Sequence, residues 1–365
     1  MKIGILTYHR AHNYGAVLQC YAMQETLKTM GHDAYVIDYR QPDIERTYRF
    51  HRGLSVKAIL KQPILKIPSY TITGIKNEFR RNALQRYRKA VFEGFCTKYF
   101  QLTEPCDSNI PSDFDAYIIG SDMLWADDCM YGHFEPIYFG DFVHKPDAKV
   151  IGYAISGTPS SFKRCGEQTG FHFLENFTSC AIRERGLADI VTQYTRTETE
   201  VVVDPTLLTK KEIWMPLLNK KWNNKKYVLT YYVRVNASNR QYVENKAKEY
   251  AESIGCDVVN MDISLTRESI SVEDFVSMIA CAQYVITDSF HAMIFSMIFH
   301  RPFNVLKYND PHDARYVDIL NQLGVSNLAI LQTDDFIKPD IDFNKIDENL
   351  QTLIASSEIY LQRSL

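Results

Sequence analysis

The chain has 365 residues, of which 45% are hydrophobic and 23% are charged, and its formal net charge is −3. This composition is typical of a globular protein and excludes one that binds nucleic acid through an overall positive charge. The length favours two domains. No apolar run reaches the roughly 18 residues that a membrane span needs. The amino-terminal residues predict a strand and no signal peptide, so we expect a cytoplasmic protein.

The eight cysteines are scattered, and none pairs at the spacing C-x-x-C. This pattern disfavours a zinc site and does not imply disulfides, so we expect free thiols in a reducing compartment. No cluster of residues with metal-ligand spacing is present, and we predict no metal and no cofactor.

The amino-terminal region predicts a β-α-β unit, which is typical of a parallel sheet. Residues 2–6 and 34–37 form apolar runs that predict strands. Between them, apolar residues recur at helical spacing from Tyr14 onwards, with Asn13 as a plausible N-cap. Gly15 indicates a close approach of the backbone to a ligand only weakly, because no G-x-G-x-x-G motif surrounds it.

Residues 41–100 differ in charge from the rest of the chain. They contain 13 Lys and Arg residues against four Asp and Glu residues. Residues 54–67 are rich in apolar side chains, and residues 75–100 predict a long basic helix. We favour a solvated helical excursion from the first domain, and the alternative is a surface that contacts anionic lipid or an anionic saccharide.

Polar residues follow the next predicted strands. Ser121 and Asp122 come directly after the apolar run 114–119, and their structural role would be to cap a helix. Arg183 ends a strand at 179–183, where its guanidinium would suit a carboxylate or phosphate, although a salt bridge to Glu184 is equally common. Asp204 opens a turn that would close the first domain.

A second α/β unit begins at residues 227–233. A polar loop from Arg234 to Arg240 follows, then a helix at 241–254 and a strand at 257–261. Ser271 and Asp274 have the spacing of a capping box. After a strand at 303–306, the loop that contains Lys307, His312 and Arg315 precedes a helix at 316–323. The tail from Asn344 predicts one or two closing helices.

The stretch around His291 organises this second unit. Tyr284 to Ile286 predict a buried strand, Asp288 and Ser289 supply capping side chains, and an apolar helix follows from Phe290. His291 would therefore lie in the first turn of a helix at the carboxyl end of a strand, where open α/β sheets bind ligands and free backbone N–H groups attract anions. A structural histidine without a function is the alternative.

Five short motifs, in this order and at these separations, resemble the polysaccharide pyruvyl transferase family over most of the chain. They are Asn13-Tyr14-Gly15-Ala16-x-x-Gln19-x-Tyr21-Ala22, Gly120-Ser121-Asp122-x-x-Trp125, Ala181-Ile182-Arg183-Glu184, Asp204-Pro205-Thr206-Leu207-Leu208 and Thr287-Asp288-Ser289-Phe290-His291. The resemblance implies two Rossmann-like domains with parallel sheets that face a cleft, an α/β arrangement called glycosyltransferase B. We place the domains at residues 1–205 and 206–345, with a carboxyl-terminal helix at 346–365.

The resemblance also implies a reaction, in which a pyruvyl group moves from phosphoenolpyruvate to a sugar hydroxyl or diol and forms a pyruvate ketal. His291 would be the general acid or a phosphate contact, with Ser289 and Asp288 beside it. In the characterised branch the motif is similar to Ser-Arg-Leu-His, with its arginine near phosphoenolpyruvate, whereas the corresponding span here, Asp288-Ser289-Phe290-His291, contains no arginine. We therefore expect Arg183 to supply the positive charge that binds the donor carboxylate or phosphate, with Arg234 or Lys307 as alternatives.

The acceptor side is expected in the first domain. There Asp122 would position or deprotonate the acceptor hydroxyl, and Ser121, Asn13 and Tyr14 would lie nearby. The expected partners are phosphoenolpyruvate and a saccharide, with peripheral membrane contact through residues 41–100 as a further interpretation.

Two alternatives retain the fold. A glycosyltransferase with a nucleotide-sugar donor would use the same anion-binding positions. A scaffold of polysaccharide assembly would bind no small ligand and would capture its partners through the basic segment 41–100.

Overall fold

The computed structural model describes residues 1–48, 67–126, 132, 134–142, 147–195, 199–234, 237–261, 270–336 and 340–365. The apolar stretch predicted between 54 and 66 lies outside these residues. Within the described part, no helix combines the length and the apolar character needed to cross a bilayer.

Six strands form the first sheet, in the spatial order β2-β1-β3-β4-β5-β6, and all of them pair in parallel. They are β1 (Lys2–Leu6), β2 (Asp33–Val36), β3 (Ala116–Ile119), β4 (Lys149–Ile155), β5 (Ser179–Ile182) and β6 (Glu200–Val201). All four residues of β3 are buried, as expected for a parallel strand that helices cover on both faces.

Seven α-helices belong to this half of the described chain. They are α1 (Tyr14–Thr29), α2 (Pro42–Thr47), α3 (Ile67–Tyr99), α4 (Pro159–Thr169), α5 (Arg185–Val191), α6 (Pro205–Leu208) and α7 (Lys211–Trp214). The long basic helix is confirmed as α3, although it begins at Ile67, eight residues earlier than predicted. Asp204 is the N-cap of the short helix α6, where the sequence predicted only a turn.

The second sheet has five parallel strands in the order β11-β10-β9-β7-β8. They are β7 (Tyr227–Tyr231), β8 (Asp257–Asn260), β9 (Tyr284–Thr287), β10 (Phe303–Lys307) and β11 (Ala329–Leu331). The helices of this half are α8 (Ala237–Ser253), α9 (Val272–Cys281), α10 (Phe290–Ile298), α11 (Ala314–Gln322) and α12 (Phe343–Ser364). These two parallel sheets with their helices confirm the predicted α/β fold class.

Three expectations for the second half have clear outcomes. The capping box is confirmed, because the Ser271 and Asp274 side chains each accept a hydrogen bond from the other residue's backbone N–H at the start of α9. The polar loop after β7 is shorter than predicted, since α8 already begins at Ala237. The tail forms one helix, and the Tyr360 hydroxyl donates to the backbone oxygen of Gly152, so α12 packs against the first sheet.

The strand order reverses between β1 and β3 in the first sheet and between β7 and β9 in the second. At such a point the loops that follow two neighbouring strands diverge and leave a crevice at the carboxyl edge of the sheet. The Tyr14 hydroxyl of α1 donates to the backbone oxygen of Ile270, which precedes α9. The fold therefore places the start of α1 against the second half of the chain, close to both crevices.

Candidate functional site

A cavity with a volume of about 490 Å³ lies near these strand ends, and we call it the cleft. Tyr8, which follows β1, and Asp122, which follows β3, line it from the first half of the chain. Arg234, which follows β7, and the pair His312 and Arg315 line it from the second half. The cleft thus combines side chains from both sheets at the position that the strand order predicts.

Asp122 is the predicted acceptor-side residue that lies on the cleft wall. Its backbone is left-handed, with φ of 78°, a conformation that costs an L residue roughly 1–2 kcal/mol. The Met123 backbone N–H donates to Asp122 Oδ1 at 2.9 Å, and the described residues that follow form no α-helix for Asp122 to cap. The turn thus presents a carboxylate to the cleft.

Beneath the cleft, Asp204 is the centre of a buried polar network. Its side chain is fully buried, and its oxygens accept hydrogen bonds from the Thr206 backbone N–H at 3.0 Å and the Thr206 hydroxyl at 2.7 Å. Ser121 Oγ lies 3.2 Å from Asp204 Oδ2 and 2.9 Å from the backbone oxygen of Ala154. Ser121 is therefore buried in this network, and the cleft is lined by its neighbour Asp122.

Arg183 belongs to the same network, with 5% of its side chain exposed. Its guanidinium donates to Asp204 Oδ2 at 3.0 Å, to Glu184 Oε1 at 2.9 Å and to the Ser156 hydroxyl at 2.8 Å. The guanidinium carbon also lies 4.4 Å from the centre of the Phe290 ring. Its donors already hold protein partners, so the salt-bridge alternative describes its observed state.

The charges of this network act on the Asp204 carboxyl. Burial by itself would raise the pKa of Asp204, but the neighbouring His291 and Arg183 outweigh burial and hold that pKa well below its usual range. Asp204 is therefore a carboxylate at neutral pH, and each cation near it is electrostatically compensated. The sequence singled out its motif but assigned Asp204 no site role.

His291 lies in the first turn of α10, as predicted. Its Nε2 is 3.6 Å from Asp204 Oδ2, and 10% of its side chain is exposed. A Cβ atom at Gly15 would stand 1.9 Å from His291 Nδ1, so only glycine at that position leaves room for the ring. His291 thus packs behind the start of α1, and it is not among the side chains that line the cleft.

Ser289 and Asp288 support the backbone around His291. Ser289 is the N-cap of α10, and its hydroxyl accepts from the Ala292 backbone N–H at 3.4 Å. Asp288 is fully buried and accepts hydrogen bonds from the backbone N–H groups of Val233 and Arg234 at 2.6 and 2.8 Å. Asp288 thereby fixes the loop that carries Arg234 into the cleft.

Arg234 lines the cleft but already has carboxylate partners. It pairs with Asp313 at 2.8 Å and with Asp310, and its guanidinium carbon lies 4.3 Å from the centre of the Tyr308 ring. These carboxylates raise the pKa of Arg234 despite its partial burial. Lys307 ends β10 and is not among the cleft-lining residues.

Arg315 lines the cleft, although the sequence analysis assigned it no role. Its Nε donates to the backbone oxygen of His312 at 3.2 Å, and no carboxylate of the described residues lies within ion-pair distance of its guanidinium. Burial first, and then the charge of Arg183, lowers the pKa of Arg315. An arginine remains charged at neutral pH, so the cleft wall carries a cation that an anionic ligand would stabilise.

The two predicted residues at the start of α1 face different surroundings. Asn13 lines the cleft, and its side chain accepts from the backbone N–H groups of Gly15 and Ala16, which confirms it as the N-cap. Tyr14 is buried, and its ring stacks on Phe275 of α9 with centroids 4.6 Å apart. Tyr14 therefore connects α1 to the second half of the chain, and its ring lies away from the cleft wall.

The described residues contain no group of three or more His, Cys, Asp or Glu side chains that could hold a metal ion. Across the cleft, the Asp122 carboxylate is close enough to Arg315 to influence its pKa, and it has the same effect on Arg183. The arrangement can hold an anion at Arg315 and can orient a hydroxyl group at Asp122.

Comparison with solved structures finds distant similarities of fold. The UDP-GlcNAc 2-epimerase of Methanocaldococcus jannaschii shares 10% identity, with 97% of this chain and 92% of that chain covered and a TM-score of 0.47. The glycosyltransferase SsfS6 of Streptomyces sp. SF2575 shares 10% identity, with 98% and 96% covered and a TM-score of 0.39. The E. coli heptosyltransferase WaaC with ADP shares 11%, with 97% and 100% covered and a TM-score of 0.37.

No curated protein matches the sequence. The family model described as polysaccharide pyruvyl transferase matches residues 13–310. This range includes Asn13, Asp122, Asp204, Arg234 and His291, and it covers more than half of the chain. The protein belongs to the polysaccharide pyruvyl transferase family.

Proposed function

We propose that this protein transfers a pyruvyl group from phosphoenolpyruvate to a hydroxyl or diol of a surface polysaccharide or its precursor, with a pyruvate ketal as the product. The observation that carries the proposal is the pair of opposite charges in the cleft. Arg315 lacks a carboxylate partner among the described residues, and Asp122 lines the same cavity from the other half of the chain. An anionic donor and a hydroxyl-bearing acceptor together match these two groups.

The chemistry assigns a task to each side of the cleft. The methylene carbon of phosphoenolpyruvate takes a proton, which leaves an oxocarbenium-like carbon that the acceptor oxygen attacks. The acceptor hydroxyl loses its proton to a base, the bond between that carbon and the phosphate oxygen breaks, and phosphate leaves with the bonding electrons. A second hydroxyl closes the ketal and releases another proton. Asp122 is the proposed base, and Arg315 would stabilise the phosphate or carboxylate of the donor.

His291 is proposed as the acid that protonates the methylene carbon. Asp204 Oδ2 lies 3.6 Å from His291 Nε2, so a buried carboxylate faces this ring nitrogen. The ring packs behind Gly15 and does not line the cleft, so this role requires a movement that opens the ring to the substrate. Replacement by alanine should abolish turnover without unfolding the protein, and unchanged turnover would remove His291 from the mechanism.

The proposal is tested by the release of inorganic phosphate from phosphoenolpyruvate in the presence of surface-polysaccharide fragments, with mass spectrometry of the fragments. Transfer adds the mass of a ketal-linked pyruvyl group to the glycan and releases one phosphate for each group added. A parallel thermal-shift panel compares phosphoenolpyruvate with nucleoside diphosphates and nucleotide sugars. Stabilisation by nucleotides alone would replace the proposal with a nucleotide-sugar glycosyltransferase.

A further inference from the structure

A second cavity, of about 280 Å³, adjoins the cleft, and we call it the side cavity. Tyr48 lines both cavities. The loop before α1 separates them, because His12 lines the side cavity and the next residue, Asn13, lines the cleft. Helix α2 also contributes to both cavities, since Glu45 lines the side cavity and Thr47 lines the cleft.

The charged side chains of the side cavity are paired with one another or with a neighbour. Arg10 Nε donates to Asp38 at 2.7 Å, and Lys89 Nζ lies 3.7 Å from Glu93. The two acids that line the cavity, Glu45 and Glu93, also lie 3.7 and 3.8 Å from Arg40. The side cavity therefore contrasts with the cleft, where Arg315 lacks such a partner, and its compensated charges favour a neutral ligand rich in hydroxyl groups.

Aromatic rings form one wall of the side cavity. The His12 ring stacks between Tyr48 and Phe92, with centroid distances of 3.9 and 5.4 Å. His12 Nδ1 is buried and has no hydrogen-bond partner among the described residues. Burial, followed by the charges of Arg88 and Lys89, lowers the pKa of His12 to about 4, so the ring is neutral at pH 7. A neutral imidazole offers one donor and one acceptor, which matches a sugar hydroxyl.

We propose that the side cavity binds a second sugar unit of the acceptor, next to the unit that reacts in the cleft. This inference rests on the proposed function for the identity of the reacting unit. Aromatic surface suits the C–H faces of a sugar ring, and the paired carboxylates and cations suit its hydroxyl groups. The acceptor class is accordingly a neutral oligosaccharide, or a polymer end, of at least two units.

The test measures binding to an array of bacterial surface glycans, each present as the monosaccharide and as a longer fragment of the same chain. Longer fragments should bind about tenfold more tightly than the monosaccharide, which corresponds to one or two net hydrogen bonds. His12→Phe keeps the aromatic stack and removes the ring nitrogens, and Glu93→Gln removes a carboxylate. Each variant should lose most of the gain with length and retain the monosaccharide affinity.

The control is Glu25→Gln, since Glu25 is a partly exposed carboxylate paired with Lys28 on α1 and lines neither cavity. It should keep the full gain with length. Equal affinity for short and long fragments, or no glycan binding at all, would overturn the inference. If the protein consumes phosphoenolpyruvate but binds long and short fragments equally, only the inference about the side cavity would be overturned. If affinity rises with fragment length and the variants remove this rise, but the protein does not consume phosphoenolpyruvate, only the proposed donor would be overturned.

Discussion

Arg183 and Arg315 lie close enough for the charge of one to lower the pKa of the other, yet their surroundings differ. Arg183 donates to two carboxylates and a hydroxyl in the buried network, whereas Arg315 contacts a backbone oxygen and faces the cleft. The first arrangement stabilises the junction beneath the cleft. The second leaves a cation available to a ligand. An arginine in a recognisable motif, such as Arg183, can thus have a structural role beneath a site. The cation that faces the ligand then comes from a different loop, here from Arg315.

The largest expected effect follows from removal of the buried cation. Arg183→Met should lower the free energy of unfolding by about 3–5 kcal/mol, because Asp204 and Glu184 would remain buried without their guanidinium partner. Urea unfolding followed by circular dichroism measures the change. The control is Arg185→Met on the exposed start of α5, which should stay within about 0.5 kcal/mol of the wild type. Equal losses in both variants would contradict the distinction between a network arginine and a surface arginine.

A smaller effect is expected where α1 meets His291. Gly15→Ala should destabilise the protein by about 1–3 kcal/mol, because the added methyl group overlaps the imidazole and must displace it. Gly94→Ala in α3 is the matched control, since its added Cβ meets no atom within 4 Å. That control should stabilise the protein by about 0.4–1 kcal/mol through the greater helical preference of alanine. Thermal unfolding measures both variants, and a neutral Gly15→Ala would mean that His291 does not require this glycine.

A third effect concerns pH and the side cavity. The pKa of His12 is lowered from 6.5 to about 4 in the folded protein, so the unfolded chain binds the proton more readily between those values. The contribution of neutral His12 to stability is therefore complete above pH 6.5 and is lost as the pH falls towards 4. His12→Phe removes this titration, and its stability should decline less steeply over that range. Urea unfolding at pH 7, 5.5 and 4.5 measures the free energy of unfolding of both proteins. An equal decline with pH in the wild type and in His12→Phe would contradict the lowered pKa of His12.

Much of the fold could be predicted from sequence, because parallel strands and amphipathic helices leave strong local patterns. The strand at 2–6, the helix that Asn13 caps and the capping box at Ser271 depend on neighbours in sequence, and all three are confirmed. The start of α3 at Ile67 was missed by eight residues, since the basic residues gave no boundary signal. Boundaries that depend on tertiary packing are weakly encoded in local patterns.

The site was harder to predict, because its properties depend on contacts between distant segments. Sequence reasoning placed Asp122 and Arg234 at strand ends, and both line the cleft. It offered the salt bridge between Arg183 and Glu184 as an alternative, which the structure contains. It could not show that Asp204 also accepts from Arg183, since 21 residues separate these two partners. It also could not show that Arg315 lacks a carboxylate partner among the described residues, which is a property of the assembled cleft.

The central claim is that the cleft binds an anionic three-carbon donor through Arg315. Isothermal titration of phosphoenolpyruvate into the wild type and into Arg315→Gln tests it most directly, with Arg185→Gln as a control for the loss of one positive charge. The account predicts wild-type binding that Arg315→Gln weakens about 10- to 150-fold, the range expected for one hydrogen bond to a charged group. The control should bind as the wild type does. Equal affinity in all three proteins, or no binding by the wild type, would contradict the account.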